Sequence, residues 1–534
     1  MPKITISEED LTISNVVDAT ENIAYIPGML FADVDEKPRL FRSASSFTEA
    51  YGKEPYKFVS DQKVDDITVV GANNYEKSYI YALELLNAGL PVYFQNIVDI
   101  RDLILYSTQD ITVPYTDCIL LAPATVTEDS FEAYKYVEEE IGGFKYATEF
   151  KDNVTYYELK APKDEYSSED IYVLPHDDGL LKTFYDELKG KENKNNSKLN
   201  EILDRWTYNI KFITTGGYPT SINTKSDYGL LKTMATAAAV RADTIALIDT
   251  PYDENILDSY TNINDNIKVK DNENDFKIKG NHNNLNYILP EERKDEPTLK
   301  YASIIGPGAI YELYNTNLLS IEEIERTDNI PNVRLTGSFG YLLSLVNSTE
   351  DLKNPDYLAV AGISRGAVPH ILSLTSETTG AQQDAVQVKD LDKISLNPII
   401  KVQNYGYCIW GNRTMFPNIQ TRKHPNGDLA ASSFLNIRVM AADVKKVIYA
   451  ACQKLTFETN NLELWLKFKS EVEPTLEQMV ANGALKTPNP YELTRLVSTE
   501  KATLSVYVKL NTEYAVEDFN VTVGLTDSTV EEAE

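Results

Sequence analysis

The sequence predicts a multidomain α/β fold, and three observations predict it. Apolar runs of strand length alternate with helix-period segments over residues 23–98 and again over residues 210–308, the pattern of parallel strands joined by crossover helices. From about residue 440 the pattern changes to two long amphipathic helices followed by alternating strands, an α+β arrangement. Polar tracts rich in Tyr, Asn and acidic residues interrupt these blocks, and they read as inserted outer, β-rich domains and extended terminal arms. A chain of 534 residues has room for about three or four such units.

Residues 1–22 are polar, with a thin alternation of Ile4, Ile6, Leu11 and Ile13 that cannot close a core alone. They read as a frayed terminus, or as an arm ordered by adding a strand to another subunit's sheet. Residues 23–99 form the first α/β part. A strand reaches a turn at Pro27-Gly28, a second strand spans 39–42, and Ser43 caps a helix carrying Phe47 and Tyr51. A helix over 75–86 ends at Gly89 and leads into a buried strand over 91–98. Residues 100–205, dominated by tyrosines and acids, are expected to be an inserted outer domain.

Residues 206–375 read as the central α/β domain. The strand at 210–215 ends in Gly216-Gly217, a turn and not a phosphate loop, because no Gly-Lys-Ser/Thr follows. An Ala-rich helix over 230–241 precedes a parallel strand over 244–250. Residues 262–298 form an exposed insertion with a hairpin around 271–275, whose Asp271, Glu273 and Asp275 lack the Gly and terminal Glu of a calcium loop. A buried strand over 301–306 and a helix over 337–346 follow.

Residues 376–513 carry the most legible stretch. An aromatic strand begins at Tyr405, a strand-like run covers 434–439, and Val444, Val447, Ile448, Ala451 and Leu455 lie on one helical stripe. A second helix, capped by Asn460 or Asn461, carries Trp465, Phe468, Val472, Leu476, Met479 and Val480; Pro474 is expected to kink it and Gly483 to end it in a left-handed cap. Leu504, Val506, Val508 and Leu510 alternate as a strand, and so do Phe519, Val521, Val523 and Leu525 within the terminal segment 514–534. The two runs are expected to pair as a hairpin that needs a further sheet. Asp527, Glu531, Glu532 and Glu534 form an acidic tail.

The formal net charge of −30 argues against a general affinity for nucleic acid or anionic membrane. Met1-Pro2-Lys3 leads into Glu8, Glu9 and Asp10 without the apolar run of a signal peptide, and no apolar run approaches the roughly 20 residues of a membrane span. Cys118, Cys408 and Cys452 lack the spacing of a disulfide framework or zinc site, and Cys408 and Cys452 read as small core residues. No cofactor or metal motif is present.

Asp249, at a strand's carboxyl end, sits where α/β proteins gather catalytic groups. Gly362-Ile363-Ser364-Arg365-Gly366 spells a nucleophile elbow, but His370 follows only six residues after Ser364 with no acid between. His176, His282 and His424 lie in polar segments. A degenerate α/β hydrolase is therefore the competing reading, and no catalytic residues are assigned.

The order Trp410-Gly411-Asn412-Arg413-Thr414, then Asn436-Ile437-Arg438, then residues 457–461 leading to Trp465, and finally Gly483-Ala484-Leu485 resembles contractile tail sheath proteins of bacteriophages, tailocins and related injection systems. The earlier Pro-Gly, Ser-led helix and the run 238–251 are similar to the same family. The resemblance implies a structural subunit and not an enzyme. It implies a central α/β domain similar to a degenerate subtilisin-like layer, and a C-terminal inner domain whose structural motif is Trp410, Gly411, Arg413, Thr414, Asn436, Arg438, Trp465 and Gly483. It further implies arms that thread neighbouring copies, a homo-oligomeric sheath of stacked rings or helical strands around a tail tube protein, and contacts with baseplate and tail terminator proteins. Assembly in the bacterial host's cytoplasm, with no direct nucleic acid and no stable membrane insertion, completes that expectation.

Overall fold

Strand β1, Ala24–Leu30, is buried along its whole length, as a strand covered on both faces must be. It belongs to a computed structural model that describes residues 20–30, 32–52, 61–64, 67–70, 77–99, 105–106, 118–122, 156–158, 172–175, 177–190, 197–218, 228–250, 270–271, 275–276, 297–312, 332–375, 396–416, 431–496 and 503–515. Strand β2, Arg39–Phe41, leads to helix α1, Ala44–Tyr51, where the Ser43 hydroxyl accepts the Ser46 amide hydrogen as the expected cap. Helix α2, Lys77–Ala88, crosses to β3, Val92–Asp99, which lies parallel to β1. Helix α3, Asp177–Lys189, precedes β4, Phe212–Ile213; helix α4, Tyr228–Arg241, precedes β5, Ile245–Asp249. Next come β6, Ala302–Gly306, β7, Ala309–Glu312, β8, Asn332–Leu335, helix α5, Gly337–Val346, and β9, Ile371–Leu374.

The central sheet is completed by β10, Leu396–Val402, and β11, Gly406–Ile409, giving the order β11-β10-β6-β5-β4-β1-β3-β2. Its six inner strands are parallel and its two edge strands antiparallel. Alternation along β5 shows the layering: Ala246 and Ile248 pack with α3 and α4, while Ile245 and Leu247 pack with α2 and α5. Strands β7, β8 and β9 form a small antiparallel sheet beside it. A third core joins helix α6, Leu435–Leu455, helix α7, Leu462–Ala481, and the hairpin of β12, Tyr491–Leu496, with β13, Ser505–Leu510.

Several expectations are corrected. Pro27-Gly28 is not a turn, because β1 runs through it to Leu30. The β1–β4 ladder stops at Tyr25↔Ile213, so the missing Pro27 N–H falls beyond it; a Cβ on Gly28 would lie 2.4 Å from the Phe94 ring. Residues 435–439 are the first turn of α6 and not a strand. Leu435 and Val439 enter the sheet core while Ile437, Met440 and Val444 enter the helical core, so burial on two sides erased the helical period. The strand beginning near Tyr405 is the edge of the central sheet, and helix α3 packs on that sheet through Leu181, Phe184, Tyr185 and Leu188. Cys408 is buried, but Cys452 is on the exposed side of α6. Strand β13 pairs with β12, while the run beginning at Phe519, expected to pair with it, lies outside the described residues.

Other expectations hold. Asn461 caps α7 by accepting the Leu464 amide hydrogen at 2.9 Å. Gly483, at φ +73°, ends that helix with the paired bonds Gly483 N–H to Val480 O and Ala484 N–H to Met479 O. Pro474, by contrast, does not interrupt α7, which is continuous from Leu462 to Ala481. Gly216 and Gly217 both take positive φ in the turn after β4. Two short antiparallel strands, Lys270–Asp271 and Asp275–Phe276, pair as a hairpin.

Candidate functional site

The carboxyl ends of the parallel strands are where an α/β sheet usually opens a ligand crevice. Among the described residues, the end of β5 meets the start of α5. The buried Asp249 carboxylate accepts the Ser338 amide at 2.7 Å and the Ser338 hydroxyl at 2.8 Å, with the Thr215 hydroxyl at 3.1 Å. Burial pushes its pKa up to about 7, against the opposing effect of the bonds from Ser338, Thr215 and Thr336. Asp249 thus caps the amino end of α5 from outside that helix. A Cβ on Gly337 would lie 2.5 Å from Ile305 O, and one on Gly216 2.2 Å from Pro27 O, so both glycines allow close backbone approach beside Asp249. Ser364 lies inside the single helical turn Gly362–Arg365 and not at a strand-to-helix elbow. A groove of about 590 Å³ lies at the opposite, amino-terminal edge, lined in part by Asn22, Arg42, Leu90, Pro91, Thr349 and Asp356.

The residues singled out by motif converge on a junction between the sheet and α6, and its hub is Asn397 on β10. The buried Asn397 amide donates to Ser303 Oγ, Ile304 O and Arg413 O at 2.8–2.9 Å, and its oxygen accepts the Arg413 amide at 2.6 Å. Gly411 passes so close that a Cβ there would be 2.8 Å from Asn397 Oδ1. Asn412 reaches onward: its Oδ1 accepts the Asn436 amide at 3.0 Å and its Nδ2 donates to Asn436 Oδ1 at 2.7 Å. The Arg413 guanidinium lies 4.3 Å from the Phe434 ring centroid, and Thr414 is tied to Ser432 and Ser433 carbonyls. Consecutive residues of one loop therefore fix the start of α6 against the sheet.

A second tie is ionic. Lys211, fully buried before β4, contacts Asp356 at 2.5 Å and Asp443 of α6 at 2.6 Å, and donates to Thr20 O at 2.7 Å. Burial opposes its charge, but Asp443 and Asp356 hold its pKa above the ordinary lysine value. One turn along, Lys446 donates to Ile210 O at 2.9 Å and lies 3.7 Å from Asp243, which also pairs with the buried Arg241. Burial lowers the Lys446 pKa to about 7, Asp243 opposing it.

No protein-family model matches the sequence, and no curated protein matches it. Solved structures do. A chain of the anti-feeding prophage (AFP) baseplate in its contracted state superposes with a TM-score of 0.52 at 12% identity, covering 99% of this chain and 99% of that one. This chain shares that fold. The sheath complex of an extracellular contractile injection system, PVC, in its contracted state aligns over 99% of this chain and 98% of that one at 12% identity and a TM-score of 0.47. The contracted AFP helical sheath aligns over 98% and 99% at 11% identity and a TM-score of 0.43.

Within this AFP-like fold, Gly411, Arg413, Thr414 and Asn436 sit at the Asn397 junction, with Trp410 beside it donating its backbone N–H to Pro398 O. Arg438 lies one turn further along α6, over the Tyr301 ring. Trp465 and Gly483 are elsewhere: Trp465 stacks on Phe468 and Gly483 closes α7. Ile4, Ile6, Leu11, Ile13, Phe519, Val521, Val523 and Leu525 lie outside the described residues. Sequence reasoning passed over Asn397 and Lys211. A polar residue inside the apolar run 396–400, and a lysine inside the run 210–213, were the available signals.

Proposed function

We propose that this chain is a structural subunit of a contractile sheath, with no chemistry of its own. The observation that carries the reading is the end-to-end likeness of its fold to a chain of a contractile assembly, to which the ordered motif from Trp410 to Gly483 adds support. In this reading the parallel sheet is the sheath's central, degenerate subtilisin-like layer. The helical pair and hairpin form the inner unit facing a tail tube protein, and the four-stranded sheet made of Leu105–Tyr106, Cys118–Ala122, Tyr156–Glu158 and Tyr172–Pro175 belongs to the outer domain.

Copies assemble into rings or helical strands around the tube, between baseplate and terminator proteins, in the host cytoplasm. Among the described residues, the β12–β13 ribbon has an unpaired outer edge on each strand, which suits strand addition by the arms at 1–22 and 514–534. Contraction that buries a few hundred more Å² of apolar surface per subunit supplies several kcal/mol at ~25 cal/mol per Å², repeated over many copies. Among the described residues no helix is long and apolar enough to cross a membrane. Negative-stain microscopy of the purified chain at high concentration tests the proposal: rings or tubes are expected, and a strictly single-copy species under all assembly conditions refutes it.

A further inference from the structure

Three cations crowd one tyrosine at the outer face of α6. Arg438 lies 4.3 Å from the Tyr301 ring centroid, Lys445 5.4 Å and Lys300 5.5 Å. Arg438 and Lys445 are seven residues apart on α6, hence on the same face two turns apart, while Lys300 and Tyr301 end the short helix before β6. All four side chains are half-buried. Among the described residues, none of the three cations forms an ion pair with a carboxylate, and Arg438 Nε, although buried, has no hydrogen-bond partner. Lys445 is held below the ordinary lysine value by burial and then by the Arg438 charge, so the cluster repels itself. Lys445 also donates to Ala242 O at 2.9 Å, but no carboxylate among the described residues balances the three charges, and in a chain of net charge −30 such a cluster is set up to receive one.

The geometry points to an acidic occupant from this same chain: we propose that Arg438, Lys445 and Lys300 form a carboxylate site taken, in the single unassembled chain, by the acidic segment 527–534. The described chain leaves the fold beside the site. Tyr514 packs its ring 5.1 Å from that of Phe434, and the Phe434 carbonyl accepts the Arg438 amide hydrogen, so the exit and the cluster are one helical turn apart. Asp527, Glu531, Glu532 and Glu534 follow, and the eleven residues between Ala515 and Asp527 can span up to about 40 Å, more than enough to double back. Acidic runs of this kind commonly serve as interaction tails. The site stands whether or not the chain polymerises.

The test is carbodiimide cross-linking of an equimolar mixture of unlabelled and 15N-labelled full-length chain, kept below the concentration of any assembly, with the joined peptides read by mass spectrometry. Amide links from the acidic segment to Lys445 or Lys300, found only within isotopically pure pairs, are the expected result. Mixed-isotope pairs overturn it in favour of a second copy. Links from these lysines to Glu291, Glu292, Asp295 or Glu296, or tail links only to other lysines, overturn it as well. As a second measurement, the full-length variant Asp527→Asn/Glu531→Gln/Glu532→Gln/Glu534→Gln has its core untouched and its site vacated. It should bind a fluorescent peptide of residues 526–534, and Arg438→Met in that background should weaken the peptide about tenfold, equivalent to ~1.4 kcal/mol. No binding, or binding indifferent to Arg438, refutes the site.

Discussion

Asp249 is a carboxyl group whose burial raises its pKa from 3.8 to about 7. The folded state therefore keeps a proton that the unfolded chain has lost between about pH 4 and pH 7. The contribution of this group falls as pH rises through that window and is constant above it. Asp249→Asn keeps an acceptor for the Ser338 amide and removes the charge. The variant should gain on the parent between pH 4 and pH 8 by roughly 2–4 kcal/mol, read as the difference in urea unfolding free energy at the two pH values. A difference that does not change with pH would show that Asp249 is not the titrating group. At the junction, Asn397→Ala leaves the Arg413 amide and the Ile304 carbonyl without their side-chain partner in a buried setting. A loss of ~2–4 kcal/mol is expected from denaturant midpoints.

At the scale of elements, α7 was legible because its signals are local. Asn461 caps it, the apolar residues Phe468, Val472, Leu476 and Met479 keep helical spacing on its buried side, and Gly483 takes the left-handed conformation. A Cβ on Gly483 meets nothing within 4 Å, so its substitution acts through the backbone alone. Gly483→Ala and Asn461→Ala should each cost about 1 kcal/mol, measured by thermal unfolding, and the two should add because they act at opposite ends of the helix. The start of α6 was illegible for the opposite reason. Its cap is Asn412, 24 residues upstream, and its apolar residues face two cores at once. Nothing within residues 434–439 announces either fact.

At the scale of the whole molecule, one lysine joins three parts of the chain. Lys211 belongs to the central sheet, Asp443 to α6, and Thr20 to the root of the amino-terminal segment. Lys211→Met leaves the buried Asp443 and the half-buried Asp356 beside an apolar side chain and should cost ~3–5 kcal/mol, with Lys211→Met/Asp443→Leu recovering much of it in a double-mutant cycle. The assembly reading makes a separate demand. Removal of residues 1–20, or of everything after Glu513, should leave a folded monomer by sedimentation that no longer forms polymer by microscopy. Normal tubes from either truncation would contradict strand exchange by the arms.

The sequence by itself determined the alternation of strands and helices in the central layer, the caps of α1 and α7, the turn at Gly216-Gly217 and the motif from Trp410 to Thr414. Each of these depends on side-chain period or backbone preference over a few neighbouring residues. Only the tertiary structure decided that Pro27 lies within a strand, that β11 edges the central sheet, that Asn397 and Lys211 hold α6 in place, and that Asp249 caps α5. Those outcomes depend on partners distant in sequence, 16 residues away for Arg413 and Asn397 and 89 for Ser338 and Asp249, and a buried polar group declares its role only when its partner arrives.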